Sequence, residues 1–130
     1  MEFILSQNNG DGTSLREYLL VVPADLIKVF GESGINDDPY KSVINFIFEA
    51  KNNPEIIFTL YDYKATTAYS SGCPYTPAQF IALKTRYNFH IGSIVAHDDY
   101  HINLFRKWVY ATVARSKRNM YDEFNRIMQK

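Results

Sequence analysis

Two short apolar runs flank a cluster of turn-forming residues near the start of the chain. The apolar segments 1–7 and 14–22 are separated by Asn8-Asn9-Gly10-Asp11-Gly12. Asn-Gly and Asp-Gly pairs between apolar runs are strong signals for a tight antiparallel hairpin. The pattern therefore predicts two strands that are joined directly into a hairpin.

The apolar positions that follow change from strand to helical spacing and back. A proline that suits the first helical position and a glycine that suits the end predict a short helix over Pro23–Phe30. Segments 40–50 and 55–63 are rich in Ile, Val, Phe and Tyr and are separated by a short Asn- and Pro-containing turn. These two segments predict a second hairpin.

A second short helix and a fifth strand are predicted next. Thr76-Pro77 has the form of an N-cap followed by proline, which predicts a helix that reaches about Lys84. Residues 86–92 then alternate between apolar and polar side chains. This period of two predicts a strand with one buried face.

The last third of the chain has a helical pattern. Asp98 and Asp99 suit a helix N-terminus, because carboxylates interact favourably with the helix dipole. The apolar residues after them recur three and four positions apart, which predicts a buried stripe made of Ile102, Phe105, Val109 and Val113. Residues 119–129 predict a second helix. The whole order predicts one α+β domain over residues 1–130, with a mainly antiparallel sheet of about five strands, two short helices and a C-terminal helical pair.

Composition narrows the class of protein without changing this fold. The chain has 130 residues, which is typical of one domain. No segment approaches the ~18 consecutive apolar residues of a membrane helix, and the first residues lack the basic region of a secretory signal. Cys73 is the only cysteine, which excludes an internal disulfide and favours a reducing compartment. We therefore expect an intracellular protein without a membrane partner.

The net charge of zero conceals an uneven distribution. Residues 1–100 carry 7 Lys/Arg and 12 Asp/Glu, and residues 101–130 carry 7 Lys/Arg and 2 Asp/Glu, so charges of −5 and +5 balance. We divide the chain into a sheet-rich acidic body, 1–97, and basic C-terminal helices, 98–130. This division favours an anionic partner for the basic part, or attraction between the two parts. Basic residues near a helix C-terminus also occur simply because they suit the helix dipole.

One cluster has the spacing of metal ligands. His97 and His101 are four positions apart, as in zinc-binding H-E-x-x-H helices. However, Asp98 replaces the glutamate, His97 lies at or before the predicted helix start, and tetrahedral zinc requires further ligands. Cys73 lies in a Gly-Cys-Pro loop without the local signature of a nucleophile. We therefore expect no metal, no cofactor and no catalytic residue.

The segment Thr59–Lys64 places aromatic and acidic residues on a strand. Tyr61 and Tyr63 share one face, and Asp62 shares the other face with Leu60. The two tyrosines predict an aromatic surface and a candidate ligand-binding site. Asp62 needs a partner on the core side, which is either a structural hydrogen bond beside the neighbouring loop or a ligand; we favour the first interpretation.

A basic arc lies beside the apolar stripe of the last third. At 100° per residue, this arc consists of Arg106, Lys107, Tyr110, Lys117 and Arg118. Cationic groups interleaved with a tyrosine can hold phosphates and stack a base. No RRM, KH or helix-turn-helix signature accompanies them, and a solvated helix face accounts for the same pattern.

Four segments in combination resemble a group of viral proteins. They are Gly12-Thr13-Ser14-Leu15, Phe30-Gly31-Glu32, Thr59-Leu60-Tyr61-Asp62-Tyr63-Lys64 and His90-Ile91-Gly92. Over about residues 12–108 the sequence is similar to small uncharacterised proteins of bacteriophages and large DNA viruses. The resemblance implies a viral accessory or virion-associated protein in the host cytoplasm or nucleus, and it transfers no catalytic residue.

These observations favour a non-enzymatic binding module that acts through protein–protein contacts and forms homo-oligomers. The aromatic content of 15% exceeds the need of a small core, and aromatic residues are enriched at interfaces. The alternative is a binder of nucleic acid or of a phosphorylated nucleotide signal, which would act against host defence through the basic C-terminal helix. A third hypothesis, a hydrolase, would use the His97–His101 cluster.

Overall fold

Five strands form one antiparallel sheet in this computed structural model, which describes residues 1–7, 10–36, 40–93 and 99–129. The strands are β1 Phe3–Leu5, β2 Ser14–Val21, β3 Asn45–Ala50, β4 Asn53–Tyr61 and β5 Tyr87–Ser93. They lie side by side in the order β1-β3-β4-β5-β2, and each neighbouring pair is antiparallel. The predicted α+β fold with a mainly antiparallel five-stranded sheet is confirmed.

The first predicted hairpin is wrong, whereas the second is confirmed as β3 and β4. β1 pairs with β3 and β2 pairs with β5, so β1 and β2 form opposite edges of the sheet. Gly10, in the segment between them, lies against the central strand, because a Cβ added to it would lie 3.1 Å from Cγ2 of Thr59. Four strand spacings of ~4.8 Å come to about 19 Å, a distance that eight residues of ~3.3 Å each can cover. The glycine-rich sequence therefore connects strands at opposite edges of the sheet and does not close a hairpin.

In the described part of the chain, three α-helices accompany the sheet: α1 Pro23–Phe30, α2 Pro77–Ile81 and α3 Asp99–Met128. α1 has the predicted bounds, and it is followed by Gly31 at a φ of 92° and by a 3₁₀ turn at Glu32–Gly34. Thr76 caps α2 as expected, since its hydroxyl accepts from the backbone N–H of Gln79 and the Gln79 side chain accepts from the Thr76 N–H. α2 ends at Ile81, earlier than the predicted end near Lys84.

The predicted C-terminal helical pair is also wrong, because α3 is one continuous helix of 30 residues. The physical reason lies in the sequence between the two predicted helices. No glycine or proline occurs from position 99 to position 128, so no residue ends the helix or turns the chain. At 1.5 Å per residue, α3 is about 45 Å long.

The core lies between one face of the sheet and the helices. Phe89 and Ile91 of β5 are buried on this face while Asn88 is exposed, as predicted, but Gly92 on the other face is also buried, so the one-sided burial holds only up to Ile91. Phe105 of α3 stacks on Phe58 of β4 with ring centroids 4.8 Å apart. The predicted stripe is buried in full, from Ile102 to Val113. Among the described residues, no helix is long and apolar enough to cross a membrane.

Candidate interaction surface

The apolar stripe of α3 continues far beyond the part that is buried. Ile102, Phe105, Val109 and Val113 are buried against the body, whereas no described residue of α3 after Val113 is buried. Met120, Phe124 and Ile127 are 45%, 59% and 55% exposed. Because a helix turns by about 100° per residue, Val113, Met120 and Ile127 lie within about 40° of one another. One helix face is therefore core in its first half and bare in its second half, residues 114–128.

Two grooves lie where the bare half leaves the body. One, of about 350 Å³, is lined by Val113, Met120 and Phe124 of α3 and by Lys28 and Val29 of α1, among others. The other, of about 690 Å³, is lined by the same apolar residues Val29, Met120 and Phe124 together with Arg115, Glu123 and Ile127, among others. Val29 of α1 is thus an apolar wall at the base of both grooves. An apolar side chain from a partner would contact apolar side chains of α1 on one side and of α3 on the other.

Three members of the predicted basic arc point towards the body. Lys117 forms an ion pair with Asp25 of α1 at 2.7 Å. The hydroxyl of Tyr110 donates to the carbonyl oxygen of Leu20 at 3.1 Å, and Arg106 is half-buried. Nε of Arg106 is buried without a hydrogen-bond partner among the described residues. Attraction between the basic and acidic parts is therefore present within one copy of the chain, at Lys117 and Asp25.

The other two members of the basic arc, Lys107 and Arg118, are exposed. They lie about 140–160° around the helix from Ile102, which is nearly opposite the stripe. Tyr110 and Lys117 do line one cavity of about 360 Å³ with Asp25 and Arg86, among others. The structure therefore divides the five residues between a body-facing group and a solvent-facing pair.

Tyr61 and Tyr63 meet at His90, which is not among the candidate site residues predicted from the sequence. The ring of His90 lies 5.4 Å from that of Tyr61, 5.5 Å from that of Tyr63 and 5.1 Å from that of Tyr18. His90 is the register partner of Tyr61 in β4 and of Tyr18 in β2. The four rings form a cluster on the sheet face opposite the helices, which we call the tyrosine–histidine cluster.

The tyrosine–histidine cluster is a weakly charged surface. Burial lowers the pKa of His90 below its ordinary value, because it disfavours the imidazolium form. Burial also raises the pKa of Tyr61, with smaller contributions from Tyr63 and Tyr18. Ring faces, ring edges and a neutral imidazole suit apolar or aromatic contacts better than phosphate contacts. At its edge, Nζ of Lys64 lies 4.8 Å from the ring centroids of both Tyr63 and Tyr69.

Asp62 has a structural role, in agreement with the favoured interpretation. Its carboxylate is buried and accepts from the backbone N–H groups of Val43 at 2.9 Å and Ile44 at 2.7 Å. The Ser42 hydroxyl also donates to it at 3.4 Å. Burial raises the pKa of Asp62, and the hydrogen bonds from Ile44 and Val43 partly offset this. Asp62 therefore braces the segment that leads into β3.

The predicted metal-like cluster lies mostly outside the described residues, since His97 and Asp98 are not among them. Within residues 1–7, 10–36, 40–93 and 99–129, no group of three or more His, Cys, Asp or Glu side chains could hold a metal ion. Cys73 is half-buried, and its thiol donates to the carbonyl oxygen of Lys64 at 3.3 Å. The expectation of no metal and no catalytic residue stays a prediction.

Comparisons with known proteins add no family to these observations. No protein-family model matches the chain, and no curated protein sequence matches it significantly.

Proposed function

We propose that the protein is a protein-interaction module whose docking element is the bare half of α3. One observation carries the proposal: the stripe that is buried up to Val113 continues in register through Ile127 with its side chains exposed. Five large side chains on this half are between 45% and 66% exposed: Met120, Tyr121, Phe124, Ile127 and Met128. An exposed stripe whose apolar residues keep the three- and four-residue spacing of a buried helix face is suited to packing against another apolar surface.

The size of this surface supports the proposal. At about 200 Å² for a fully exposed large side chain, the five residues expose roughly 580 Å² of surface. The largest apolar patch on a typical monomer is about 300–600 Å² and is often functional. Val29 and the two grooves extend the surface onto the body. The bare half therefore has the extent of a binding site.

The alternative function, binding of an anionic ligand through the basic arc, has fewer groups at its disposal. Lys117 already has Asp25 as its partner, and Tyr110 donates to Leu20. Lys107 and Arg118 are exposed, but two cations make a weaker phosphate site than five aligned residues would. The predicted viral origin and intracellular location stay predictions, and the proposal does not depend on them.

A photo-crosslinking amino acid at position 124 tests the proposal against a matched control at position 122. Phe124 lies on the stripe, and Asp122 lies about 160° away on the same turn of the helix. We expect protein adducts in several-fold excess from position 124, with the purified chain alone or in a cell extract. Equal yields from both positions, or adducts with nucleic acid only, would contradict the proposal.

A further inference from the structure

We infer that the partner of the bare half is the bare half of a second copy, paired antiparallel about a two-fold axis near Met120. The inference rests on the proposed function and names its partner. Homodimers with two-fold symmetry bury the same patch of both copies, so the patch must be complementary to itself. The length of the bare half, its apolar stripe and the two grooves beside it meet this condition.

The spacing of the stripe sets the centre of the pair. Val113 is the last buried residue of α3, and Ile127 is a stripe residue two heptads later. Met120 lies midway between them. In an antiparallel pair about Met120, Val113 of one copy lies level with Ile127 of the other, and Met120 lies level with itself. Each stripe is then covered along its whole bare length.

The base of each groove receives the tip of the other helix. Because Val113 lies at the body, the pairing brings Ile127 and Met128 of the other copy to the groove that Val29 and Val113 line. Each body packs on its own stripe only up to Val113. The part of each body that buries the stripe therefore lies beyond Ile127 of the other copy, while Val29 of α1 remains beside the bare half as a wall of both grooves.

The position of the body favours the antiparallel direction. The stripe of the first half of α3 is buried up to Val113, so that side of the helix is already occupied. In a parallel pair, the first half of the second copy's α3 and its body would lie level with this buried stripe and on the same side. In the antiparallel pair they lie beyond Ile127. Charge does not set the direction, because Arg115 lies about 140° around the helix from Met120 and Glu123 pairs with Arg126 of its own copy.

The area indicates a weak dimer. Roughly 580 Å² from each copy comes to about 1,200 Å² in total, which is near the lower limit of biological interfaces. We therefore expect a monomer–dimer equilibrium at micromolar concentration. Interfaces of this size are often transient, and their affinity depends on the quality of the central contacts.

Sedimentation equilibrium of the purified chain tests the association. We expect a mass near twice 15.1 kDa at high concentration and the monomer mass on dilution. The dissociation constant of the dimer should be at least tenfold higher for the double variant Phe124→Asp/Ile127→Asp than for the parent protein. The matched control Arg118→Gln/Asp122→Asn, on the opposite face, should behave as the parent. Circular dichroism checks that α3 stays helical in both variants.

A distance measurement tests the direction of the pair. Spin labels on Gln129→Cys report the separation of the two helix ends. The background variant is Cys73→Ser, in which the serine hydroxyl replaces the thiol as donor to the carbonyl oxygen of Lys64. Nine residues on either side of Met120 place the labels about 27 Å apart along the axis in the antiparallel pair. In a parallel pair the labels would be about one helix spacing apart, near 10 Å.

A strict monomer, unchanged dimerisation of the Phe124→Asp/Ile127→Asp variant or the short distance would overturn the inference. A monomer whose position 124 crosslinks to a different protein would leave the proposed function standing and remove only the second copy as partner. A monomer without protein adducts at position 124 would remove both.

Discussion

The two halves of α3 have the same apolar period and opposite environments. In the first half, Phe105 and Val109 are fully buried against the sheet. In the second half, Phe124 and Ile127 stand on the same side of the same helix and are mostly exposed. Helical spacing identifies the apolar face of a helix, but the element that covers this face is decided elsewhere in the fold. Here α3 is longer than the sheet, so the apolar face of the helix extends beyond the elements that bury its first half.

The difference between the halves also separates stability from association. Burial of apolar area is the main favourable contribution to folding, so the first half of α3 stabilises the monomer. The second half has no comparable burial within one copy. Its apolar side chains can be removed from water only by contact with one another or with another molecule. Substitutions in the two halves should therefore change different measured quantities.

The largest effect is expected from Phe105→Ala, compared with Phe124→Ala. Phe105 is fully buried and stacks on Phe58, so its truncation should lower the free energy of unfolding by about 3–5 kcal/mol. Phe124 is exposed, so its truncation should change the stability of the monomer by no more than ~0.5 kcal/mol. Chemical denaturation at a concentration below the dimerisation range measures both. Equal losses in the two variants would show that the bare half packs within its own copy.

The sequence was sufficient to predict elements whose structure depends on neighbouring residues. α1 carries its proline and its glycine at the correct ends, and β5 shows its buried face by simple alternation. The β1–β2 hairpin failed because a turn signal indicates that the chain bends, without indicating which strands pair afterwards. β1 found its partner in β3, 43 or more residues away in the chain.

The candidate surfaces were predictable only in part for a related reason. The stripe from Ile102 to Val113 followed from spacing, but its continuation through Met120 was hidden by the assumption of a second helix. The position of His90 on the polar side of an alternating strand was a usable signal for the tyrosine–histidine cluster. Its contact with Tyr18 and Tyr61 depends on register between strands, and a local pattern does not contain that register.

A smaller effect is expected at the boundary between the two halves of α3. The Lys117–Asp25 pair joins the start of the bare half to α1, with the side chain of Lys117 60% exposed. Exposed pairs of this kind contribute about 0.2–1 kcal/mol, so Lys117→Ala should lower the free energy of unfolding by about 0.5 kcal/mol. The loss should shrink at high salt, because salt screens the pair. The double variant Asp25→Ala/Lys117→Ala, completing a double-mutant cycle, separates the pair from effects of each side chain alone.

The solvent-facing pair of the basic arc, Lys107 and Arg118, should contribute even less to the stability of the monomer or to docking by the bare half. Lys107→Glu/Arg118→Glu changes two exposed side chains that lie nearly opposite the stripe. We expect each change to alter stability by no more than ~0.5 kcal/mol and to leave the stripe available for docking. Thermal melts and titrations with single-stranded DNA, RNA and nucleotides measure the outcome. If the parent binds one of these ligands and the variant loses it, the alternative function gains direct support.

The smallest effect is expected from the titration of His90 in the body. The bare half has no counterpart, since residues 114–128 contain no histidine. The folded state holds the pKa of His90 below its ordinary value, so the unfolded chain takes up a proton at higher pH than the folded protein. This contribution to stability is present above the unfolded pKa of about 6.5 and is lost as the pH falls through that value towards the folded pKa. Denaturation of the monomer between pH 8 and pH 5 should show a small decrease in stability, and His90→Asn should reduce that decrease. An unchanged pH dependence in His90→Asn would show that the three tyrosine rings leave His90 as free to ionise in the folded protein as in the unfolded chain.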